Sequence, residues 1–165
     1  MMRRMLVFLM RHAEAEPGAP DAARPLTAKG RRQARWAGRG PFAVAAAAAP
    51  WVEHSGLVRS VRTAELAMRA AGVPSRRLRL LAGLAPEDDP TVTARLLATA
   101  RSPRLIVGHN PHLASLLALL LGARSGEAVR FRKGAVAALE RIASPSRRAP
   151  HGRWRLLWFV PPVLA

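Results

Sequence analysis

Two histidines in this sequence stand where chemistry is easily done. His12 follows an apolar run, Met5 to Met10, and is preceded directly by Arg11. His109 follows a second run, Leu105 to Val107, within Gly108-His109-Asn110-Pro111. A neutral imidazole is a nucleophile or a proton carrier near pH 7. Arginine stays charged at any relevant pH and presents a planar fork that matches phosphate oxygens. A third stretch, His54 to Glu65, carries Arg59 and Arg62 three positions apart, on one face if the segment is helical. One of these two arginines is expected to face solvent. A lone histidine after a strand is more often structural than reactive, so no single piece decides the matter. Together the pieces suit the handling of a phosphoryl group.

The elements that must position these residues are legible as periodicity. Short apolar runs alternate with segments of helical period, which predicts an α/β layer structure. The predicted strands are Met5 to Met10, Trp51 to His54, Leu78 to Leu81, Leu105 to Val107, Ala135 to Leu139 and Trp154 to Val160. The first and fourth are continuously apolar, as central strands covered on both faces should be. Thr27 is placed to cap a helix running toward Gly38, although Gly30 weakens its first turn. Further helices are predicted from Leu57 to Ala71, from Pro90 to near Ala100, and from Pro111 to Gly122. Ser144 to Arg153 reads as an exposed loop. In a parallel α/β sheet the residues just past the carboxyl ends of strands line the ligand crevice, so His12 and His109 can face one pocket. A helix opening at Pro111 would point its positive dipole end there as well.

These pieces resemble the histidine phosphatase superfamily, in the branch that contains phosphoglycerate mutases and SixA-type phosphohistidine phosphatases. Arg11-His12-Ala13 is similar to the family's opening Arg-His-Gly, in a form with alanine. Asp21 to Gly30 resembles its Arg-Pro-Leu-Thr-x-x-Gly segment. Ser55 to Glu65 resembles Ser-Pro-x-x-Arg-Ala-x-x-Thr-Ala-Glu, which assigns the pocket role to Arg59 rather than Arg62. Val107 to Pro111 matches Val-Gly-His-Asn-Pro, and Trp154 to Pro162 resembles the terminal strand of SixA-like chains. Gly56 stands in place of the usual proline and Ser60 in place of the usual alanine, so a slightly altered loop is expected. The resemblance implies one domain over residues 1–165, a three-layer α/β/α sandwich whose mostly parallel central sheet has about six strands.

The same resemblance implies a mechanism. His12 attacks phosphorus and carries the phosphoryl group, while Arg11, Arg59 and His109, with Asn110 beside them, bind its oxygens. Two cationic neighbours should depress the proton affinity of His12 and keep it nucleophilic. No metal and no cofactor is expected. The candidate general acid is Glu87, in the acidic cluster Glu87-Asp88-Asp89, although acidic residues also simply favour a helix N-terminus. A phosphohistidine substrate tolerates a weak protein acid, because the leaving ring can carry its own proton. The chain has no room for the long insertion that holds the mutases' substrate contacts, which argues against mutase activity.

Composition limits the partners. The 165 residues carry 27 Lys and Arg against 10 Asp and Glu, a formal charge of +17, yet Lys29 and Lys133 are the only lysines. The charge is scattered from Arg3 to Arg155, tyrosine is absent, and stacking platforms for bases are hard to assemble, all of which argues against nucleic acid. Attraction of an anionic substrate is the simpler role. Arg3 and Arg4 ahead of Met5 to Met10 superficially resemble a signal peptide, but the run is short and ends in Arg11-His12. No apolar run approaches the roughly 20 residues that cross a bilayer. With no cysteine the cytoplasm is the expected compartment. The expected substrate is a phosphorylated protein bearing phosphohistidine. Alternatives are a small phosphate ester, a basic binding module, or an inactive domain that docks on a phosphoprotein. A monomer or weak oligomer would suffice.

Overall fold

The computed structural model describes residues 4–163, so Arg3 lies outside the described residues. Six strands form one sheet: β1 (Leu6–Arg11), β2 (Val52–His54), β3 (Leu78–Leu80), β4 (Arg104–Gly108), β5 (Val136–Ala143) and β6 (Arg153–Val160). Their order is β3-β2-β4-β1-β5-β6. The first four run parallel, and β5 and β6 close the sheet as an antiparallel pair. β1 and β4 are internal strands, in keeping with their continuous apolar character.

Alternation along β1 sends Phe8 and Met10 to one face and Val7 and Leu9 to the other. On the first face lie α1 (Ala28–Gly38), α2 (Pro41–Ala48) and α3 (Val58–Ala70). They bury Ala37, Phe42, Ala45, Ala64 and Met68 against Phe8, Met10, Leu105 and Val107. On the second face α4 (Pro90–Thr99) and α5 (His112–Leu121) bury Leu97, Leu113, Leu116 and Leu117 against Val7, Leu9 and Ile106. The result is the three-layer sandwich expected from the sequence.

Some boundaries differ from the reading of periodicity. The helix α2 has no counterpart there, because Pro41–Ala48 is alanine-rich on every side and shows no apolar stripe. β5 continues to Ala143, and Arg153 belongs to β6 rather than to the preceding loop. No helix among the described residues is long and apolar enough to cross a membrane.

Thr27 caps α1 by accepting a hydrogen bond from the Gly30 amide at 2.9 Å. Gly30 is more than a weak helix residue. A Cβ there would sit 1.9 Å from the Glu14 carbonyl oxygen, so the close approach of α1 to the segment after β1 requires glycine. Gly56 has φ +90°, a conformation closed to proline and favourable to glycine, at the turn between β2 and α3.

Candidate active site

The chain leaving β1 is fastened residue by residue to four different parts of the fold. The Arg11 amide donates to Ala135 O, the His12 amide to Gly108 O at 2.8 Å, and the Ala13 amide to Thr63 Oγ1 at 2.9 Å. The Glu14 amide then donates to Gln33 Oε1 at 2.8 Å. The segment before β5 thus fastens Arg11, and β4, α3 and α1 fasten the next three residues, which holds His12 in a fixed place at the carboxyl edge of the sheet.

There the ring of His12 lies 5.0 Å from that of His109, centroid to centroid. Both are buried, His12 at 6% exposure and His109 at 0%. His12 Nδ1 is 2.7 Å from the Ala13 carbonyl oxygen. A carbonyl only accepts, so Nδ1 carries the proton and Nε2 holds the free lone pair of the neutral ring. Burial pushes the pKa of His12 down to about 3, against the opposing pull of the Ala13 carbonyl and with further lowering by Arg59, Arg11 and Lys133. Desolvation therefore outweighs the cationic neighbours that the sequence pointed to. His109 is also pushed down to about 3, by burial first, then by His12 and Arg59, with Asp21 acting in the opposite sense.

Of the paired arginines on α3, Arg59 is buried, whereas Arg62 is exposed and pairs with Glu65 at 2.7 Å. The Arg59 guanidinium donates through both terminal nitrogens to Asp21, to the backbone oxygen at 2.8 Å and to Oδ2 at 3.0 Å. Arg11 donates to the Phe131 carbonyl at 2.9 Å, and Asn110 Nδ2 donates to the same oxygen at 3.1 Å. These bonds use only part of each group. Arg11 Nε, Arg59 Nε, His109 Nδ1 and Asn110 Oδ1 are buried without a hydrogen-bond partner. Leaving such an atom unsatisfied costs about 1–3 kcal/mol. Among the described residues only one other buried side-chain atom, on His151, shares that condition. Concentration of these atoms in the four residues around His12 marks a place built for a polar guest, and its donors favour an anion.

The structure thus brings together His12, His109, Arg11, Arg59 and Asn110. Glu87 is exposed on the turn between β3 and α4, with no side-chain hydrogen bond among the described residues. Its neighbours have structural work: Asp89 caps α4 through the Thr91 amide at 2.8 Å, and Asp88 accepts from the Ala85 amide at 2.7 Å. His112 ties Asp88 O and Thr93 Oγ1 together and is likewise committed. Among the described residues no group of three or more His, Asp or Glu side chains could hold a metal ion.

Sequence reasoning did not single out Asp21 or Ser55 as neighbours of the reactive groups. Asp21 was visible only as the first residue of the segment ending at Gly30, yet it grips Arg59. Ser55 Oγ lies 2.5 Å from His109 Nε2. Ser60, which replaces the alanine of the family pattern, donates to Val107 O at 2.7 Å and fastens α3 to β4.

Beside the histidines opens a cavity of about 930 Å³ that shares Arg11 and Asn110 with them. Lys29, Arg130, Arg132 and Lys133 also line it, with Glu14 and Glu127 as its carboxylates.

The fold has solved counterparts. The protein histidine phosphatase SixA, solved with tungstate, aligns over 94% of this chain and 96% of its own, with TM-score 0.77 and 24% identity. A candidate phosphohistidine phosphatase SixA from Agrobacterium tumefaciens aligns over 97% and 99%, with TM-score 0.75 and 24% identity. A mycobacterial glucosyl-3-phosphoglycerate phosphatase aligns over 94% and 98%, with TM-score 0.66 and 16% identity. No family model matches the sequence, and no curated protein does. The chain therefore has the α/β fold that these phosphatases share. Within that group, the two SixA structures align with higher TM-scores than the sugar-phosphate enzyme.

Proposed function

We propose that the protein is a phosphohydrolase that works through a covalent phosphohistidine on His12, with phosphohistidine on another protein as its substrate. The observation that carries this reading is the pairing of a neutral, oriented His12 with unsatisfied donors on Arg11, Arg59 and His109.

His12 Nε2 attacks phosphorus in line while Nδ1–H stays on the Ala13 carbonyl. The N–P bond of the substrate breaks as the new one to Nε2 forms, and the departing imidazole keeps its own proton on the far nitrogen. Water then attacks the phosphorylated His12, the new N–P bond breaks, and inorganic phosphate leaves. Splitting one displacement into two lowers each barrier. Arg11 Nε, Arg59 Nε and His109 Nδ1 bind the equatorial oxygens as charge spreads across them, and one such donor is worth about 3 kcal/mol. Glu87 is exposed and does not line the cavity beside His12, so a leaving group that needs no protein acid fits best. The resemblance of the fold to SixA, named a protein histidine phosphatase, favours the same substrate.

The test is to trap the intermediate. Incubation with a phosphohistidine-bearing protein and an alkaline quench should leave acid-labile phosphate on His12, and none in His12→Asn. Hydrolysis of sugar phosphates at rates equal to phosphohistidine would instead favour the small-ester reading. Salt-sensitive nucleic-acid binding, unchanged in His12→Asn and without turnover, would favour a binding module.

A further inference from the structure

The cationic cavity beside His12 has a construction that the chemistry at His12 does not require. Its wall is the segment that leads into β5, and this segment is locked to the reactive groups through its backbone, at Phe131 O, at the Gly134 amide on Arg11 O and His12 O, and at Ala135 O. Phe131 is 1% exposed, its ring packs edge-on against Phe159 of β6 at 5.1 Å, and its carbonyl holds Arg11 and Asn110 together. Arg130 and Arg132 flank this anchor and are exposed, and Lys133 is half-buried. Lys133 is also close enough to His12 to lower its proton affinity. Across the cavity stands Lys29, which pairs with Glu14 at 3.5 Å. Five cations therefore face two carboxylates, one of which is already engaged.

We infer that this cavity receives an acidic polypeptide segment of the partner that carries the phosphoryl group, with its carboxylates against Arg130, Arg132 and Lys133. The inference rests on the proposed activity for the identity of the partner, but the binding surface stands apart from turnover. Three features select this occupant. The cavity is larger than a phosphoryl-imidazole needs, and three of its cations, Arg130, Arg132 and Lys133, lie on the segment that leads into β5 rather than among the groups assigned to the phosphoryl oxygens. Its one aromatic residue, Phe131, is buried, so no ring is offered to a nucleobase. Carboxylates spaced along an extended strand match cations on alternate residues, since side chains two apart point the same way.

The far end of the sheet supplies a control. β5 runs antiparallel to β1, so the β5–β6 loop lies at the edge opposite His12. That loop carries Arg147 and Arg148, both exposed. The experiment compares Arg130→Glu/Arg132→Glu with Arg147→Glu/Arg148→Glu, two double variants of identical net charge. The probe is a fluorescent, unphosphorylated peptide of alternating Glu and Ser, with a Gln-for-Glu peptide as reference, at low and physiological salt.

The expected result is at least a tenfold weaker affinity for the acidic peptide in the first variant and less than a twofold change in the second. Turnover of free phosphohistidine should stay within twofold in both, which also shows that they fold. Equal losses in the two variants would reduce the effect to overall charge and overturn the inference. So would equal affinity of the wild-type protein for the acidic and the Gln peptides. If the acidic peptide binds as expected but phosphohistidine is not hydrolysed, the surface stands and the proposed activity falls.

Discussion

Ser55 Oγ and His109 Nε2 are 2.5 Å apart, and the same serine oxygen accepts a hydrogen bond from the Leu57 amide at 3.3 Å. With its oxygen receiving the amide, the serine hydroxyl is free to donate to Nε2. His109 is then protonated at Nδ1, the nitrogen that is buried without a partner. Ser55→Ala removes this preference. Turnover should fall roughly tenfold, close to the net worth of one hydrogen bond of about 1.4 kcal/mol. Nitrogen NMR shifts of the His109 ring should move toward a mixture of tautomers. Unchanged shifts would show that the serine does not set the proton's place.

Asp21 holds both terminal nitrogens of Arg59 and leaves the buried Nε without a partner. Its carboxyl is held below the usual carboxylate range by hydrogen bonds from Arg24 and Arg59. Asp21→Asn keeps the shape but removes one negative charge from the neighbourhood of an anion site. Inorganic phosphate should bind several-fold more tightly as an inhibitor, while kcat falls because the guanidinium is less firmly aimed. Inhibition and rate assays on the same preparation separate the two effects, and a variant unchanged in both would make the contact incidental.

His12 and His109 both have folded pKa values near 3, below the unfolded value of 6.5. Between these limits the unfolded chain binds more protons than the folded one. Their contribution to stability is therefore complete above about pH 6.5 and is lost as pH falls toward 3. Urea midpoints should drop steadily from pH 6.5 to 4, and the double variant His12→Asn/His109→Asn should show a shallower slope. In the pH profile of kcat/KM, the acidic limb due to the free enzyme should lie below pH 5 rather than near 6.5.

Gly30→Ala drives a methyl group into the Glu14 carbonyl oxygen. Either α1 moves away or the segment after His12 does, at a cost of about 2 kcal/mol or more. Thermal unfolding should show the loss directly, and turnover should fall with it because the His12 segment is tied to α1. Wild-type stability would mean that the contact is looser than the geometry implies.

What the sequence revealed of this molecule follows physical lines. The strands, and the four helices with an apolar stripe, are local in origin, and their periodicity is visible one window at a time. α2 was missed because alanine on every side carries no direction, and only packing decides that Phe42, Ala45 and Ala46 face inward. The histidines were legible because strand ends announce a crevice. The Asp21–Arg59 and Ser55–His109 contacts span 38 and 54 residues and exist only once the layers have assembled. Burial of His12, the leading cause of its low proton affinity, is likewise a property of the assembled layers.

The Phe131 anchor makes the wall segment separable from the reaction. The Phe131 ring and carbonyl, with the Gly134 amide on Arg11 O and His12 O, hold it in register, while the Arg130 and Arg132 side chains are exposed and take no part in those bonds. Partner choice can therefore drift by exchange of residues 130 and 132 while turnover stays intact. Two proteins of this architecture could thus share their chemistry and serve different clients.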